Sequence, residues 1–169
     1  MTNLLNLVSA AKKGDKSAFS QLYQEVYQDL YKFAFYCLKN ETDAEDAVSD
    51  AVMDAWESLP KLRQDDSFRA WMFKILSAKC KRKMKYYAAR REETDLSEVE
   101  IPVTADREEA LELKRAMALL NDEERLILSL IIFGGYDSGE VADMLRLNRN
   151  TVRSKHSRAL AKLREALSQ

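Results

Sequence analysis

With 169 residues, 46% of them apolar, the chain can bury the core of one domain or of two small ones, and no apolar run approaches the ~20 residues of a bilayer-spanning helix. Residues 1–11 show no charged stretch followed by an apolar run and a cleavage site, so neither a leader nor membrane insertion is expected, and the cytoplasm is the expected location. The 27 basic and 28 acidic residues nearly cancel to a net charge of −1, which argues against a nucleic-acid partner only if the charges are evenly spread.

They are segregated. Residues 40–59 hold seven acids and no base, residues 69–91 nine bases and no acid, residues 92–109 eight acids against Arg107, and residues 146–164 seven bases and no acid. A single charge run is usually a solvated helix face; two one-signed basic blocks are harder to explain that way. Four Gly and two Pro in a chain rich in Ala, Leu, Lys and Glu predict an all-α fold. Cys37 and Cys80 have no metal-spaced neighbours and read as reduced packing or surface residues.

In chain order, the stripe Phe19, Leu22, Tyr23, Val26, Leu30, Phe33 and Ala34 predicts a helix over residues 17–39. Thr42 with Glu45 predicts a capping box opening a second helix that stops before Pro60, and a loop over 59–66 follows. Ser67 is the expected cap of a third helix through Phe68, Trp71, Met72, Ile75 and Leu76 into the basic run ending at Arg91. These three helices should form one bundle. Residues 92–104 lose periodicity and contain Pro102, which marks a linker. Beyond it come an amphipathic helix over 107–120, a helix over 122–133 capped by Asn121 with Glu124 and ended by Gly134-Gly135, a short helix over 139–145 capped by Ser138, a turn over 146–148 and a final helix from Arg149. The last two helices have the form of a helix-turn-helix.

Three constellations carry chemistry. On the final helix, Val152, His156, Ala159, Leu160, Leu163 and Leu167 form the expected buried stripe. Thr151, Ser154, Lys155, Arg158 and Lys162 lie opposite with Arg153 on the flank, where a major groove would receive them. His156, on the apolar stripe, reads as a packed side chain. On the second helix, Asp43, Asp46, Asp50, Asp54 and Glu57 share an arc of about 80°, a self-repelling arrangement that a basic partner would relieve, although solvation alone can tolerate it. The third helix mixes aromatics with cations, from Phe68-Arg69-Ala70-Trp71 to Lys81-Arg82-Lys83 and Tyr86-Tyr87, a mixture suited to single strands. Trp71 reads as core, and residues 81–85 as candidates for backbone contact.

The order and spacing of Asp43-Ala44-Glu45-Asp46, Asp54-Ala55-Trp56, Phe68-Arg69-Ala70-Trp71-Met72, Glu123-Glu124-Arg125, Glu140-Val141-Ala142 and Thr151-Val152-Arg153-Ser154-Lys155 resemble an extracytoplasmic-function sigma factor of the sigma-70 family over nearly the whole chain. The resemblance implies two small helical domains, region two over residues 1–91 and region four over 107–169, joined by a flexible acidic linker over 92–106. It implies that Asp43, Asp46, Asp50, Asp54 and Glu57 dock on the β′ clamp helices of core RNA polymerase. Region four would contact the β flap and read the −35 element through Thr151, Arg153, Ser154, Lys155 and Arg158. Region two would open the −10 element of promoter DNA through the loop over 59–67, with Lys61, Arg63, Arg69, Lys74, Ala78, Lys81 and Arg82 nearby. An anti-sigma partner is implied by the resemblance alone.

Two positions depart from the family pattern: Ala78 stands where an Asn is usual, and Arg82 where an Asp or Asn is frequent. Losing an amide and gaining a cation shifts the expected contacts from base edges toward phosphate. Two other readings compete. A dimeric helix-turn-helix regulator would need a two-fold operator rather than polymerase. An α-helical enzyme would need a phosphate loop, a metal-spaced cluster or a nucleophile–base pair, none of which is found, so neither catalysis nor a cofactor or metal is expected.

Overall fold

The computed structural model describes residues 2–63, 67–90 and 105–168. Among them every regular element is helical: α1 (Thr2–Lys12), α2 (Lys16–Leu38), α3 (Glu41–Ser58), a 3-10 turn (Leu59–Lys61), α4 (Phe68–Ala89), α5 (Ala105–Ala118), α6 (Asp122–Ile132), α7 (Ser138–Leu145) and α8 (Arg149–Ser168). Most of the expected linker, residues 92–104, lies outside the described residues, and α5 takes up the chain from Ala105.

The first unit contains four helices rather than three. α1 packs Leu7, Val8, Ala10 and Ala11 onto the core shared with α2, and the Lys12 ammonium donates to the Leu62 carbonyl, tying α1 to the segment after the 3-10 turn. α2 is capped by Asp15, whose Oδ1 accepts from the Ala18 N–H at 3.1 Å, and buries Phe19, Leu22, Val26, Leu30, Phe33, Ala34 and Cys37. It stops at Lys39, whose left-handed backbone (φ 64°) lets its N–H reach the Phe35 carbonyl at 2.7 Å.

α3 starts earlier than the Thr42–Glu45 pair predicts. Asn40, extended at φ −149°, is the cap: its Oδ1 accepts from the Asp43 N–H at 2.9 Å. The buried face of α3 is made of small residues, Ala44, Ala47, Val48, Ala51 and Ala55. Lacking bulk, that face lets α3 pack against α2 and α4, and Glu45, Asp46, Asp50 and Glu57 are left exposed. Ser67 caps α4 as expected, accepting from the Ala70 N–H at 3.0 Å, and Phe68, Met72, Phe73, Leu76, Cys80 and Met84 form its inner face. Trp71 and Ile75 are half-buried, and both cysteines are inside, with Cys37 Sγ 3.7 Å from Met84 Sδ.

In the second unit the Asn121–Glu124 capping box is present in both directions, at 2.8 and 3.0 Å. α6 is the central element, burying every residue from Glu124 to Leu130. α7 is capped by Asp137, with Glu140 closing the box, so Ser138 is its first helical residue rather than its cap. Arg146, left-handed at φ 56°, turns the chain into α8, and Val141, Ala142, Leu145 and Val152 hold the two helices together. In α8 only Val152, Ala159 and Leu163 are buried; Leu167, expected on the inner stripe, is 41% exposed.

The two units pack against each other. Leu126, Ile127 and Leu130 of α6 continue the apolar core built on α2 and α4. Tyr36 of α2 and Phe133 stack with centroids 4.6 Å apart and planes 5° from parallel. Gly134 makes room for this turn, because a Cβ there would lie 2.5 Å from the Leu130 carbonyl and 2.7 Å from the Tyr136 ring.

Candidate polymerase and nucleic-acid interfaces

The acidic arc divides once it is folded. Asp46, Asp50 and Glu57 are exposed, and Met53, 64% exposed, sits among them at helical spacing. Asp43 and Asp54 are half-buried and turned toward α4. The Tyr87 hydroxyl donates to Asp43 Oδ2 at 2.8 Å, and Lys79 pairs with Asp54 at 2.5 Å. Partial burial and the hydrogen bond to Asp43 push the Tyr87 phenol up to about 12, so at neutral pH it remains a donor. Of the five acids of the arc, three therefore face outward around one thioether, with Glu45 also exposed nearby, while the other two pin α3 to α4.

The basic side of α4 is one stripe. Lys74, Ala78, Lys81 and Arg82 are all exposed and fall on one side of the helix, opposite Phe73, Leu76 and Cys80. Lys61 and Arg63 are exposed on the preceding segment, while residues 64–66 of the expected −10 loop lie outside the described residues. Arg69 stands apart from this group. It lies about 140° around the helix from Lys74, over the Phe73 ring at 4.7 Å, and it donates to the Gly134 carbonyl at 2.6 Å and the Tyr136 hydroxyl at 3.3 Å.

The recognition-helix residues also separate into two sets. Arg153, Ser154 and Arg158 are exposed, with Arg158 Nη2 3.2 Å from Ser154 Oγ, whereas Thr151 is half-buried. Lys155 is half-buried and pairs with Glu123 of α6 at 2.5 Å, and Lys162 reaches Glu124 at 2.8 Å. Burial pushes the Glu124 carboxyl upward, but the Lys162 ammonium, the Asn121 N–H and the nearby Arg158 charge outweigh it and hold the group below the usual carboxylate range. His156 is half-buried on the inner side.

Two exposed residues at the start of α8, Arg149 and Asn150, are not among the contacts expected from the sequence. Asn148 Oδ1 accepts from the Asn150 N–H at 2.8 Å, fixing the helix start with these two side chains in its first turn. The N-terminal residues of a recognition helix are those that meet base edges. The sequence carries a signal for them, since the helix start at Arg149 is legible and a wheel drawn from that residue rather than from Thr151 includes both.

Among the described residues no helix is long and apolar enough to cross a membrane. The Sigma-70 region 2 family matches residues 22–91, and the Sigma-70, region 4 family matches residues 116–165. The ECF RNA polymerase sigma factor SigM of Mycobacterium tuberculosis is 30% identical over 164 residues, covering 95% of this chain and 83% of its own. RNA polymerase sigma factor SigV of Bacillus subtilis is 29% identical over 144 residues, covering 83% and 86%. Among solved structures, CnrH in complex with the cytosolic domain of CnrY superposes with a TM-score of 0.75 at 27% identity, over 98% of this chain and 97% of that one. The sigma factor RpoE of Bartonella quintana, solved with the anti-sigma factor NepR, gives 0.76 at 26% identity over 89% and 96%. With both regions matched in order on an acidic helix, a basic helix and a helix-turn-helix, the chain belongs to the extracytoplasmic-function sigma factors of the sigma-70 family and is a promoter-recognising factor of transcription initiation.

Proposed function

We propose that residues 1–91 act as region two and 107–169 as region four, with 92–106 as the linker, and that the initiation function divides among the three charged surfaces. Asp46, Asp50 and Glu57 around Met53 dock on the β′ clamp helices of core polymerase, while Asp43 and Asp54 hold α3 to α4. Lys61, Arg63, Lys74, Lys81 and Arg82 follow the melted −10 strand past Ala78, and Arg69 joins them when it is released from the turn after α6. In region four, Arg153, Ser154 and Arg158 meet the −35 element, Arg149 and Asn150 are added at the helix start, and Thr151 and Lys155 flank them while α5 and α6 approach the β flap. The factor works in the cytoplasm, performs no catalysis of its own and is held by an anti-sigma protein, as RpoE is in its structure with NepR.

The observation that carries this reading is the one-sided exposure of each charged face: acids on α3, cations on α4 and on the first turns of α8, each backed by a buried apolar side. Run-off transcription with core polymerase on a promoter library tests it. Stimulated initiation from a defined −35/−10 pair is expected, with loss of core binding on reversing Asp46 and Asp50 to Lys. No stimulated initiation overturns it.

A further inference from the structure

Two arginines cross the seam between the regions in opposite directions. Arg69, in the first turn of α4, places Nη1 2.6 Å from the Gly134 carbonyl and Nη2 3.4 Å from that of Phe133, just past the end of α6. Asp29 of α2 holds the same guanidinium at 3.3 Å, and Tyr136 closes over it with its hydroxyl at 3.3 Å and its ring edge-on to Phe73 at 5.6 Å. Arg125, in the first turn of α6 and 2% exposed, sends Nε 2.7 Å to the Cys37 carbonyl at the end of α2, and its remaining nitrogens to the Leu120 carbonyl at 3.0 Å and Asp122 at 2.7 Å. The last carbonyls of a helix have no intrahelical partner and lie at the negative end of its dipole. Each region therefore supplies the cation that satisfies the other's helix end, and the Tyr36–Phe133 stack fills the space between.

We propose that this reciprocal arginine clasp closes the unbound factor on itself, with the turn 133–136 of region four occupying the start of α4 on region two, so that interdomain packing and engagement of a DNA strand by Arg69 exclude each other. The exclusion rests on the assignment of α4 to the −10 strand; the closure does not. The geometry is specific to arginine: a planar fork serves two carbonyls and a carboxylate at once, which an ammonium on a flexible stem does not reproduce. A closed population reduces strand affinity in proportion, since only the open fraction binds.

Small-angle scattering of the full chain reads the closure directly. A compact chain of this length has a radius of gyration of about 15 Å. The wild-type protein is expected near that value, and Arg69→Ala, Arg69→Lys and Phe133→Ala are each expected to expand it by several ångströms while helicity by circular dichroism is retained. Arg125→Ala is avoided as a sole test because that side chain also holds Leu120 and Asp122 within region four. A randomised, fluorescein-labelled single-stranded 20-mer then reads the exclusion: Phe133→Ala, which leaves every proposed DNA contact intact, should bind it at least threefold more tightly than wild type. An extended wild-type protein, or variants as compact as wild type, overturns the clasp. Expanded variants with unchanged strand affinity overturn the exclusion. Wild-type run-off transcription is measured alongside; its absence removes the functional assignment, while the closure still stands or falls on the radius of gyration.

Discussion

The two basic helices, α4 and α8, use their cations differently. α4 is anchored by a deep apolar face, Met72, Phe73, Leu76 and Cys80 all fully buried, and its exposed stripe of Lys74, Lys81 and Arg82 contributes little to holding it in place. α8 buries only Val152, Ala159 and Leu163, and it is also tied to α6 by Lys155–Glu123 and Lys162–Glu124. A cation of that exposed stripe can therefore be removed to test DNA contact alone. On α8, removing Lys155 perturbs the fold and the contact together.

The sharpest separation is between the two sides of α4. Leu76→Ala should cost about 2–5 kcal/mol in urea unfolding, because it deletes a fully buried side chain from a packed core. Lys81→Ala should stay within about 0.5 kcal/mol of wild type. Equal costs for the two would mean that the charged stripe takes part in the packing and would erase the contrast with α8.

Region four has a comparable dependence at the base of α6. Asn121→Ala removes one half of the capping box and should cost about 0.5–2 kcal/mol. Glu124 supplies the other half and receives Lys162, and its folded pKa is lowered. A depressed carboxyl contributes stability at neutral pH that is lost as pH falls through the ordinary value, about 4.3, toward the lower folded one. Urea midpoints measured from pH 7 to pH 3 should therefore fall less steeply in Glu124→Gln than in wild type, and parallel curves would refute the assignment.

On α4, Arg82 allows a test of contact without a structural change. If it sits on a phosphate of the melted strand, Arg82→Ala should make the slope of log K against log salt shallower by about 0.7. An unchanged slope removes Arg82 from the backbone contacts and returns the −10 surface to base-edge reading.

Much of this division is legible in the residues. The acidic arc, the Ser67 cap, the Asn121–Glu124 box and the helix-turn-helix follow from periodicity and capping chemistry, which act within a few residues. α1 escapes such a reading because a short run of leucines and alanines near the start of a chain is first weighed as a leader. The fates of individual charges are not legible, since they depend on partners remote in sequence: Tyr87 for Asp43, Lys79 for Asp54 and Gly134 for Arg69. A helical wheel shows which way a side chain faces and does not show what meets it. Arg125 illustrates this most clearly, as one member of a recognisable Glu-Glu-Arg triplet whose partner, the Cys37 carbonyl, lies 88 positions away.

The Lys155–Glu123 pair is where the two uses of a cation can be separated on α8. The pair is partly exposed, at 24% and 41%, so a double-mutant cycle on stability should give a coupling of only about 0.2–1 kcal/mol. Glu123→Gln breaks the ion pair while keeping the side-chain volume, and it releases Lys155 toward the groove. Promoter binding by the holoenzyme should then tighten and its salt slope steepen by about 0.9, the value for one added duplex phosphate contact. If binding and slope are unchanged while the stability coupling is present, Lys155 serves the fold alone, and −35 recognition falls to Arg149, Asn150, Arg153, Ser154 and Arg158. In that case region four would separate its structural and DNA-facing cations largely by side of the helix, as α4 does, with Lys155 and Lys162 turned to α6 and Arg149 and Arg153 turned away from it.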